Sequence, residues 1–116
     1  MREVVQVYLD LELVAGKDTE FESTMRELAD CVSQNSIPVV FDFYRDSAGS
    51  SEVFAVETHE SERSLARYFE VAGPILERAR ACVRPNRVLV LGDLSQTMGA
   101  TMVTMGASVV PRWLQG

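Results

Sequence analysis

The sequence predicts an α+β domain in which strands and helices follow one another in the order β-α-β-β-α-β. Two observations support this prediction. Hydrophobic residues alternate with a period of two in several segments, and they recur at steps of three and four in the segments between them. The chain has 116 residues, which is the usual length of one domain with one core.

The first strand and the first helix have the clearest patterns. Residues 3–14, EVVQVYLDLELV, alternate between an apolar and a mixed face, which is typical of a strand that lies on a core. The apolar face is formed by Val5, Val7, Leu9, Leu11 and Leu13. Thr19 and Glu22 have the spacing of a capping box. Apolar residues then follow at helical steps, which predicts a helix over residues 19–34.

A hairpin is predicted next. Its strands are IPVVFDFYR, which starts after Ser36, and EVFAVETH, which ends at His59. The segment DSAGSS between them is rich in turn-forming residues. Pro38 lies near the start of its strand, where a missing N–H donor is tolerated best.

The second half of the pattern contains a helix and a strand. The period changes to that of a helix from Ser61 on. Gly73 and Pro74 are expected to interrupt this helix, with Pro74 in the first turn of a second short one. The segment RPN is expected to end the helical region, and RVLVLG, residues 87–92, is predicted to be the fourth strand.

This order is that of the ferredoxin-like plait. It implies an antiparallel sheet with strand order 4-1-3-2 and both helices on one face. The opposite face would carry Val4, Val40 and Tyr8 or Tyr44, so we expect it to be partly apolar. An uncovered apolar face favours a partner, and two such sheets that face each other would form a dimeric α+β barrel.

Residues 93–116 are predicted to be a C-terminal helical extension of the domain formed by residues 1–92. Ser95 can cap a helix, and Gly106 can end it. This helix would carry Met98, Met102 and Met105 at steps of four and three. We interpret the methionines as packing residues, and the alternative is a flexible surface that contacts substrate.

The charge distribution favours some functions over others. The net charge is −6, with 14 acidic and 4 basic residues in 1–62 against 3 and 7 in 63–116. The acidic half argues against nucleic-acid binding, which needs a cationic face. The opposed halves are compatible with pairing of two copies or with ordinary solvated charge. No apolar segment has the length of a membrane span, so we expect no membrane association.

Cysteine and glycine patterns predict a protein without cofactors. Cys31 and Cys82 are far apart in the sequence and are expected to be free thiols, as in a reducing cytosol. We therefore expect a cytoplasmic location. No Cys/His spacing typical of a metal site occurs, and no glycine-rich phosphate loop is present. We expect no metal, flavin or haem.

Three segments resemble the antibiotic biosynthesis monooxygenases, a family of small dimeric α+β-barrel proteins. They are VAGKDTEFESTMRELA, similar to the family's entry into the first helix, FDFYRD, similar to its second-strand ending, and FAVETHESERSL, similar to its run into the second helix. The resemblance implies a homodimer and often an oxygenase without cofactor that acts on phenolic or quinol-like polyketides. Other members degrade haem, and many have no assigned activity.

The sequence departs from the family at His59, where members usually have Trp. The haem-degrading branch also has a second Trp near the position of Tyr68 and a haem-ligating His near Arg78 and Arg80. Since His59 is the only histidine and lies elsewhere, the resemblance argues against haem degradation.

His59 and Tyr44 are the candidate catalytic residues. The unperturbed pKa of histidine suits a general base near neutral pH, and Glu57 lies two residues away on the same face of its strand. The alternative is that His59 is a structural residue at a strand end. Candidate substrate-binding residues are Tyr8, Asp42, Glu57, Tyr68 and Trp113. For Tyr8, Asp42 and Tyr44 the alternative is packing in a dimer interface.

Two functions follow from this sequence. In the first, the protein is a cofactor-independent monooxygenase that acts on an aromatic phenol or quinol. In the second, it is a non-catalytic small-molecule-binding or accessory protein with the same fold. A polar cavity that contains His59 and a tyrosine would favour the enzyme. A cavity filled by Phe41, Phe43, Phe54 and the methionines would favour the binding protein.

Overall fold

A computed structural model describes residues 3–114 and shows five strands and three helices in this range. In chain order they are β1 (Val5–Leu13), α1 (Asp18–Gln34), β2 (Val39–Tyr44), β3 (Glu52–His59), α2 (Glu62–Arg80), β4 (Val83–Leu91), α3 (Gln96–Thr104) and β5 (Ser108–Val110). The predicted order β-α-β-β-α-β is confirmed, and α3 and β5 follow it.

The strands form one sheet in the order β2-β3-β1-β4-β5. Read from the other edge, the four predicted strands are in the order 4-1-3-2, but the order of the whole sheet differs because β5 is added beside β4. β5 is parallel to β4, with Leu89 opposite Ser108 and Leu91 opposite Val110, so the sheet is mixed and not purely antiparallel. The C-terminal extension is therefore not only helical. Three residues are too few to show a period of two.

The core lies between the sheet and the helices. The predicted apolar face of β1 is confirmed, since Val5, Val7, Leu11 and Leu13 are buried. The helix residues in the same core include Leu28 and Val32 of α1, Leu65, Ala72 and Ile75 of α2, and Met102 of α3. All three helices therefore cover one face of the sheet.

The start of α1 differs from the prediction. The helix begins at Asp18, and Lys17 before it makes no capping hydrogen bond through its side chain. Thr19 lies inside the first turn, so the predicted capping box is wrong. The carboxylates of Asp18 and Glu20 lie in that turn, where the positive end of the helix dipole stabilises negative charge.

The predicted interruption of the second helix is also wrong, because α2 is continuous through Gly73 and Pro74. Pro74 is exposed. Its missing N–H removes one hydrogen bond to the carbonyl oxygen of Glu70, and on the exposed side water can satisfy that oxygen. The buried residues Ala72 and Ile75 on the opposite side hold the helix against the sheet.

The fourth strand starts earlier than predicted, so RPN lies inside β4 and does not end the helical region. The pairing with β1 shifts between Asp10, opposite Arg87, and Leu11, opposite Pro85. Asn86 is the extra residue, and such a bulge is one of the few places in a sheet where proline is tolerated. The side chain of Asn86 donates a hydrogen bond to Asp10 over 3.3 Å.

The face of the sheet opposite the helices is partly apolar, as predicted. Val40 is 59% exposed and Tyr44 is 55% exposed, and Leu91 and Val110 are also exposed. In the strand register these four side chains lie on the same face as Gln6 and Thr58. We refer to this surface as the open face.

The third helix has the predicted boundaries. Its cap is Ser95, whose Oγ accepts a hydrogen bond from the backbone N–H of Met98 over 3.2 Å. Met102 is buried in the core, Met98 packs against the core and Met105 is exposed, which supports the interpretation as packing residues. Gly106, with φ of +94°, lies just after the helix.

Cys31 and Cys82 are free thiols, as predicted. Among the helices of residues 3–114, none has both the length and the apolar character that crossing a membrane requires. In the same part of the chain, no group of three or more His, Cys, Asp or Glu side chains is arranged to hold a metal ion.

Candidate active site

His59 is the last residue of β3 and lies under the helices. Its side chain is 0% exposed, and its strand neighbours are Val5 on β1 and Val39 on β2. His59 therefore lies at a strand end, as the alternative of a structural residue also requires. The cap of α2 is Ser61, whose Oγ accepts a hydrogen bond from the backbone N–H of Ser64 over 3.1 Å.

One nitrogen of the His59 ring is paired and the other is not. Nε2 lies 2.9 Å from Oε1 of Glu57. Nδ1 is buried and has no hydrogen-bond partner among residues 3–114. Buried polar atoms usually have a partner, so an unpaired ring nitrogen is a candidate position for a ligand or a reacting group.

Glu57 connects His59 to α2. The side chain of Glu57 is 15% exposed, and its Oε2 lies 3.4 Å from the hydroxyl oxygen of Tyr68, which donates the hydrogen bond. This contact is longer than most hydrogen bonds between oxygen atoms. Tyr68, a residue of α2, is 1% exposed. We refer to His59, Glu57 and Tyr68 as the buried triad.

Tyr68 acts as a hydrogen-bond donor and not as a base. Burial raises the pKa of its hydroxyl well above the usual value, and the negative charge of Glu57 raises this pKa further. The phenol therefore stays protonated at any physiological pH. Glu57 is thus able to accept from Tyr68 through one oxygen and from His59 through the other.

This arrangement specifies a chemical role for each nitrogen. If Glu57 is a carboxylate it can only accept hydrogen bonds, so Nε2 of His59 carries a hydrogen. In the neutral imidazole the lone pair is then on Nδ1. A carboxylate that holds one nitrogen while the other exchanges protons is the arrangement of a general base in serine hydrolases. The buried triad can therefore remove a proton from a hydroxyl group that reaches Nδ1.

Aromatic rings pack around Tyr68 of the buried triad. The ring of Tyr68 has its centroid 5.0 Å from that of His59, 5.8 Å from that of Phe41 and 5.6 Å from that of Phe69. Phe41 in turn stacks on Phe43, with centroids 6.4 Å apart. The immediate walls of the site are thus flat and apolar, which suits an aromatic ligand.

Two grooves reach these rings from the surface. The first has a volume of about 350 Å³ and lies between α1 and the strands β2 and β3. Its lining residues include Phe21, Met25, Phe43 and Val53. The second, also about 350 Å³, lies between α2 and α3 and is lined by residues that include Phe69. His59 lines neither groove.

The second groove is closed at one end by a polar link between the helices. Glu62, in the first turn of α2, accepts hydrogen bonds from the backbone N–H of Ser95 over 2.6 Å and from its hydroxyl over 2.7 Å. Ser95 caps α3. Glu62, three residues after His59, therefore holds the start of α3 in place beside this groove.

The structure brings only some of the predicted site residues together. Glu57, His59 and Tyr68 form the buried triad. Tyr44, the other candidate catalytic residue, lies on the open face with Tyr8 and Asp42, on the opposite side of the sheet from His59. Trp113 is 91% exposed in the segment after β5.

Phe69 is not among the predicted site residues. Phe41 is predicted only as one of a group, with Phe43 and Phe54, that could fill the cavity. The structure divides that group, since Phe54 packs against Tyr8 on the open face, with ring centroids 6.3 Å apart. Strand alternation could have revealed this division, because Phe41 and Glu57 are directly opposite in the hairpin and Phe54 differs from Glu57 in parity.

Comparison with known proteins gives structural matches only. The sequence matches no protein-family model and no curated protein. Among solved structures, MupZ from Pseudomonas fluorescens has a TM-score of 0.82 at 11% identity, over 100% of this chain and 90% of that chain. SnoaB, a cofactor-independent oxygenase from Streptomyces nogalater, has a TM-score of 0.63 at 15% identity, over 81% and 96%.

A protein described as a putative antibiotic biosynthesis monooxygenase from Caulobacter crescentus has a TM-score of 0.62 at 16% identity, over 77% of this chain and 86% of that chain. The chain has the fold of the antibiotic biosynthesis monooxygenases. This confirms the resemblance stated from the three sequence segments at the level of architecture. The match to MupZ spans the whole chain, so α3 and β5 lie within it.

Proposed function

We propose that this protein is a cofactor-independent monooxygenase that acts on an electron-rich aromatic small molecule, a phenol or a quinol. The observation that carries the proposal is the completely buried His59, with one nitrogen paired to Glu57 and the other unpaired. The fold shared with SnoaB, itself described as a cofactor-independent oxygenase, supports the same reaction class.

The proposed reaction begins with proton removal. Nδ1 of His59 accepts the proton of the substrate hydroxyl, and the resulting phenolate is a stronger reductant than the phenol. Dioxygen accepts electrons from this anion and bonds to the para ring carbon, which carries one hydrogen. The hydroxyl carbon becomes a carbonyl, and the peroxide takes the proton back from His59 to give a hydroperoxide at the para carbon. Loss of water then leaves a carbonyl at that carbon. One oxygen atom of dioxygen enters the product, the other leaves as water, and the substrate supplies all the electrons.

The residues around His59 support each part of this reaction. The negative charge of Glu57 stabilises the imidazolium that forms when Nδ1 takes the proton. The rings of Phe41 and Phe69 offer flat surfaces to an aromatic substrate and exclude water from the anion. Tyr68 holds Glu57 in place through its hydroxyl.

The proposal is tested by aerobic incubation with a panel of anthrones and naphthoquinols without added cofactor. We expect oxygen consumption and, for the anthrones, formation of the anthraquinone with one atom of label in the product when ¹⁸O₂ replaces air. Heat-denatured protein and an anaerobic sample are the controls. If no member of the panel reacts faster than in the controls, the proposed reaction is wrong.

A second candidate function is supported by the same burial. The rings of Phe41 and Phe69 lie against Tyr68, and His59 lines neither groove. A non-catalytic protein that binds an aromatic molecule in one of the grooves fits this arrangement. The two functions differ in one measurement, because the binding protein would bind panel members with no oxygen consumption.

We further propose that the protein is a homodimer formed through the open face. The support is the exposure of Val40 and Tyr44 at one side of that face and of Leu91 and Val110 at the other. Exposed apolar side chains on an otherwise uncovered sheet face favour a partner that covers them. A face-to-face pair of sheets would leave the helices, the second groove and the buried triad of each copy outside the interface, whereas the first groove is lined in part by Tyr44 of the open face.

A further inference from the structure

The geometry points to Glu57 as a positioning residue that fixes His59 in the tautomer with hydrogen on Nε2 and leaves Nδ1 as the proton acceptor. The tautomer itself is a property of the resting protein. The catalytic consequence rests on the proposed function, in which Nδ1 takes the substrate proton.

The position of Glu57 follows from the strand. Residues two apart on a strand point to the same face, so Glu57 and His59 of β3 both lie under the helices. The distance of 2.9 Å between Oε1 and Nε2 is that of a good hydrogen bond. The other ring nitrogen has no partner among residues 3–114, so Glu57 is the group within this range that distinguishes the two nitrogens.

The charge state of Glu57 decides whether the hydrogen between Oε1 of Glu57 and Nε2 of His59 belongs to the oxygen or to the nitrogen. Tyr68 donates to Oε2 of Glu57 over 3.4 Å, and burial raises the pKa of the Tyr68 hydroxyl, so it remains a donor. A carboxylate that already accepts one hydrogen bond accepts the second from His59. Nε2 is then protonated, and the lone pair of the neutral ring lies on Nδ1.

The same pair balances charge during the reaction. When the O–H bond of the substrate breaks and an Nδ1–H bond forms, the imidazole becomes an imidazolium. Its positive charge is 2.9 Å from the negative charge of Glu57. In the other tautomer Nδ1 would already carry hydrogen, and the proton could not be transferred to it.

His59 is the only histidine in the chain, so its tautomer can be measured directly. In protein labelled with ¹⁵N-histidine, two-bond nitrogen–proton correlation spectra contain the signals of one imidazole. For the neutral imidazole of the resting protein we expect the pattern of an unprotonated Nδ1 and a protonated Nε2. The opposite pattern, with hydrogen on Nδ1, would overturn the inference.

The effect of Glu57 is isolated by the nearly isosteric change Glu57→Gln. The amide can donate as well as accept, so we expect a mixture of the two tautomers. With a reactive panel substrate, kcat should fall at least about tenfold, as part of the roughly 10²–10⁴-fold contribution of a positioned base, while KM changes little. Glu60→Gln is the matched control, because Glu60 is exposed and adjacent to His59 in sequence.

A second variant provides a test of the inference even if Glu57→Gln does not fold. Tyr68→Phe removes the hydroxyl that bonds to Glu57 and keeps the ring, and we expect a smaller shift toward the other tautomer. If kcat is unchanged in Glu57→Gln while the tautomer shifts, the positioning role is wrong. A protonated Nε2 in a protein without oxygenase activity would support the assignment of the tautomer and contradict the proposed function.

Discussion

Nε2 of His59 lies 2.9 Å from Oε1 of Glu57, and both side chains project from the same face of β3. The alternation of a strand places the two residues together in any sheet. What distinguishes this pair is its burial under the helices, where the low dielectric strengthens a charge-assisted hydrogen bond. The pair links the fold to the proposed chemistry.

Tyr68→Phe should change how stability depends on pH. Burial and Glu57 raise the pKa of Tyr68 in the folded protein, whereas the unfolded value is about 10. Above that pH the unfolded chain releases a proton that the folded protein retains, so the free energy of unfolding falls as pH rises. One such group contributes a slope of about 1.4 kcal/mol per pH unit, and below about pH 10 it contributes none.

Urea denaturation at a series of pH values from 8 to roughly 11 checks this prediction. The difference between wild type and Tyr68→Phe should change with pH only at the alkaline end, where wild type loses more stability. Tyr44→Phe is the control, because Tyr44 is 55% exposed on the open face. Parallel curves for wild type and Tyr68→Phe would show that the hydroxyl is not held in its protonated form.

Val40→Glu should disrupt the proposed homodimer. Val40 is 59% exposed on the open face, and a carboxylate there would be buried without a partner in a face-to-face pair. Val103→Glu is a matched control, since Val103 is 60% exposed on α3. By light scattering we expect twice 12.9 kDa for wild type and for Val103→Glu, and the monomer mass for Val40→Glu. A wild-type mass of 12.9 kDa at micromolar concentration would rule out the dimer.

Gly73→Ala should stabilise the protein because α2 is continuous at this position. Apart from its chain neighbours, which include Pro74, and the backbone of its own helix, a β-carbon at Gly73 meets no atom within 4 Å. Alanine is favoured over glycine in helices by about 1 kcal/mol, and crowding of the new β-carbon by the ring of Pro74 offsets part of this gain. Gly106→Ala is the contrasting variant, because Gly106 is equally open but has φ of +94°, which alanine adopts poorly. Thermal denaturation should show a higher Tm for the first variant and a lower Tm for the second. A Tm for Gly73→Ala as low as that of Gly106→Ala would contradict the continuous helix.

Much of the fold follows from hydrophobic periodicity. The apolar pattern that includes Val5 and Val7 repeats over enough positions to define a strand face, and the pattern that includes Leu65 defines a helix face. The structure confirms the order of the first six elements. The errors occur where local rules compete with tertiary packing. Gly73 and Pro74 are strong local breaks, but the burial of Ala72 and Ile75 on either side holds the helix together.

The candidate site was only partly predictable. Strand parity brought Glu57 and His59 together, because alternation is a local property. Whether that face is closed or open to a ligand depends on which helix residues pack against it, such as Tyr68 and Phe69, and their positions are set by tertiary contacts. The separation of Tyr44 from His59 follows from the same parity, since Tyr44 is paired with Phe54 of β3.

The central claim, that His59 is the base of an oxygen-dependent reaction, is tested most directly by turnover of His59→Phe. Phenylalanine fills the buried position with a ring of similar shape but has no titrating nitrogen, and circular dichroism and Tm establish that the variant is folded. Glu60→Gln, with the change at the exposed neighbouring residue, is the control. With a reactive anthrone or naphthoquinol, we predict that turnover falls by roughly 10²-fold or more in His59→Phe and is unchanged in Glu60→Gln. A folded His59→Phe protein with wild-type turnover would contradict the account.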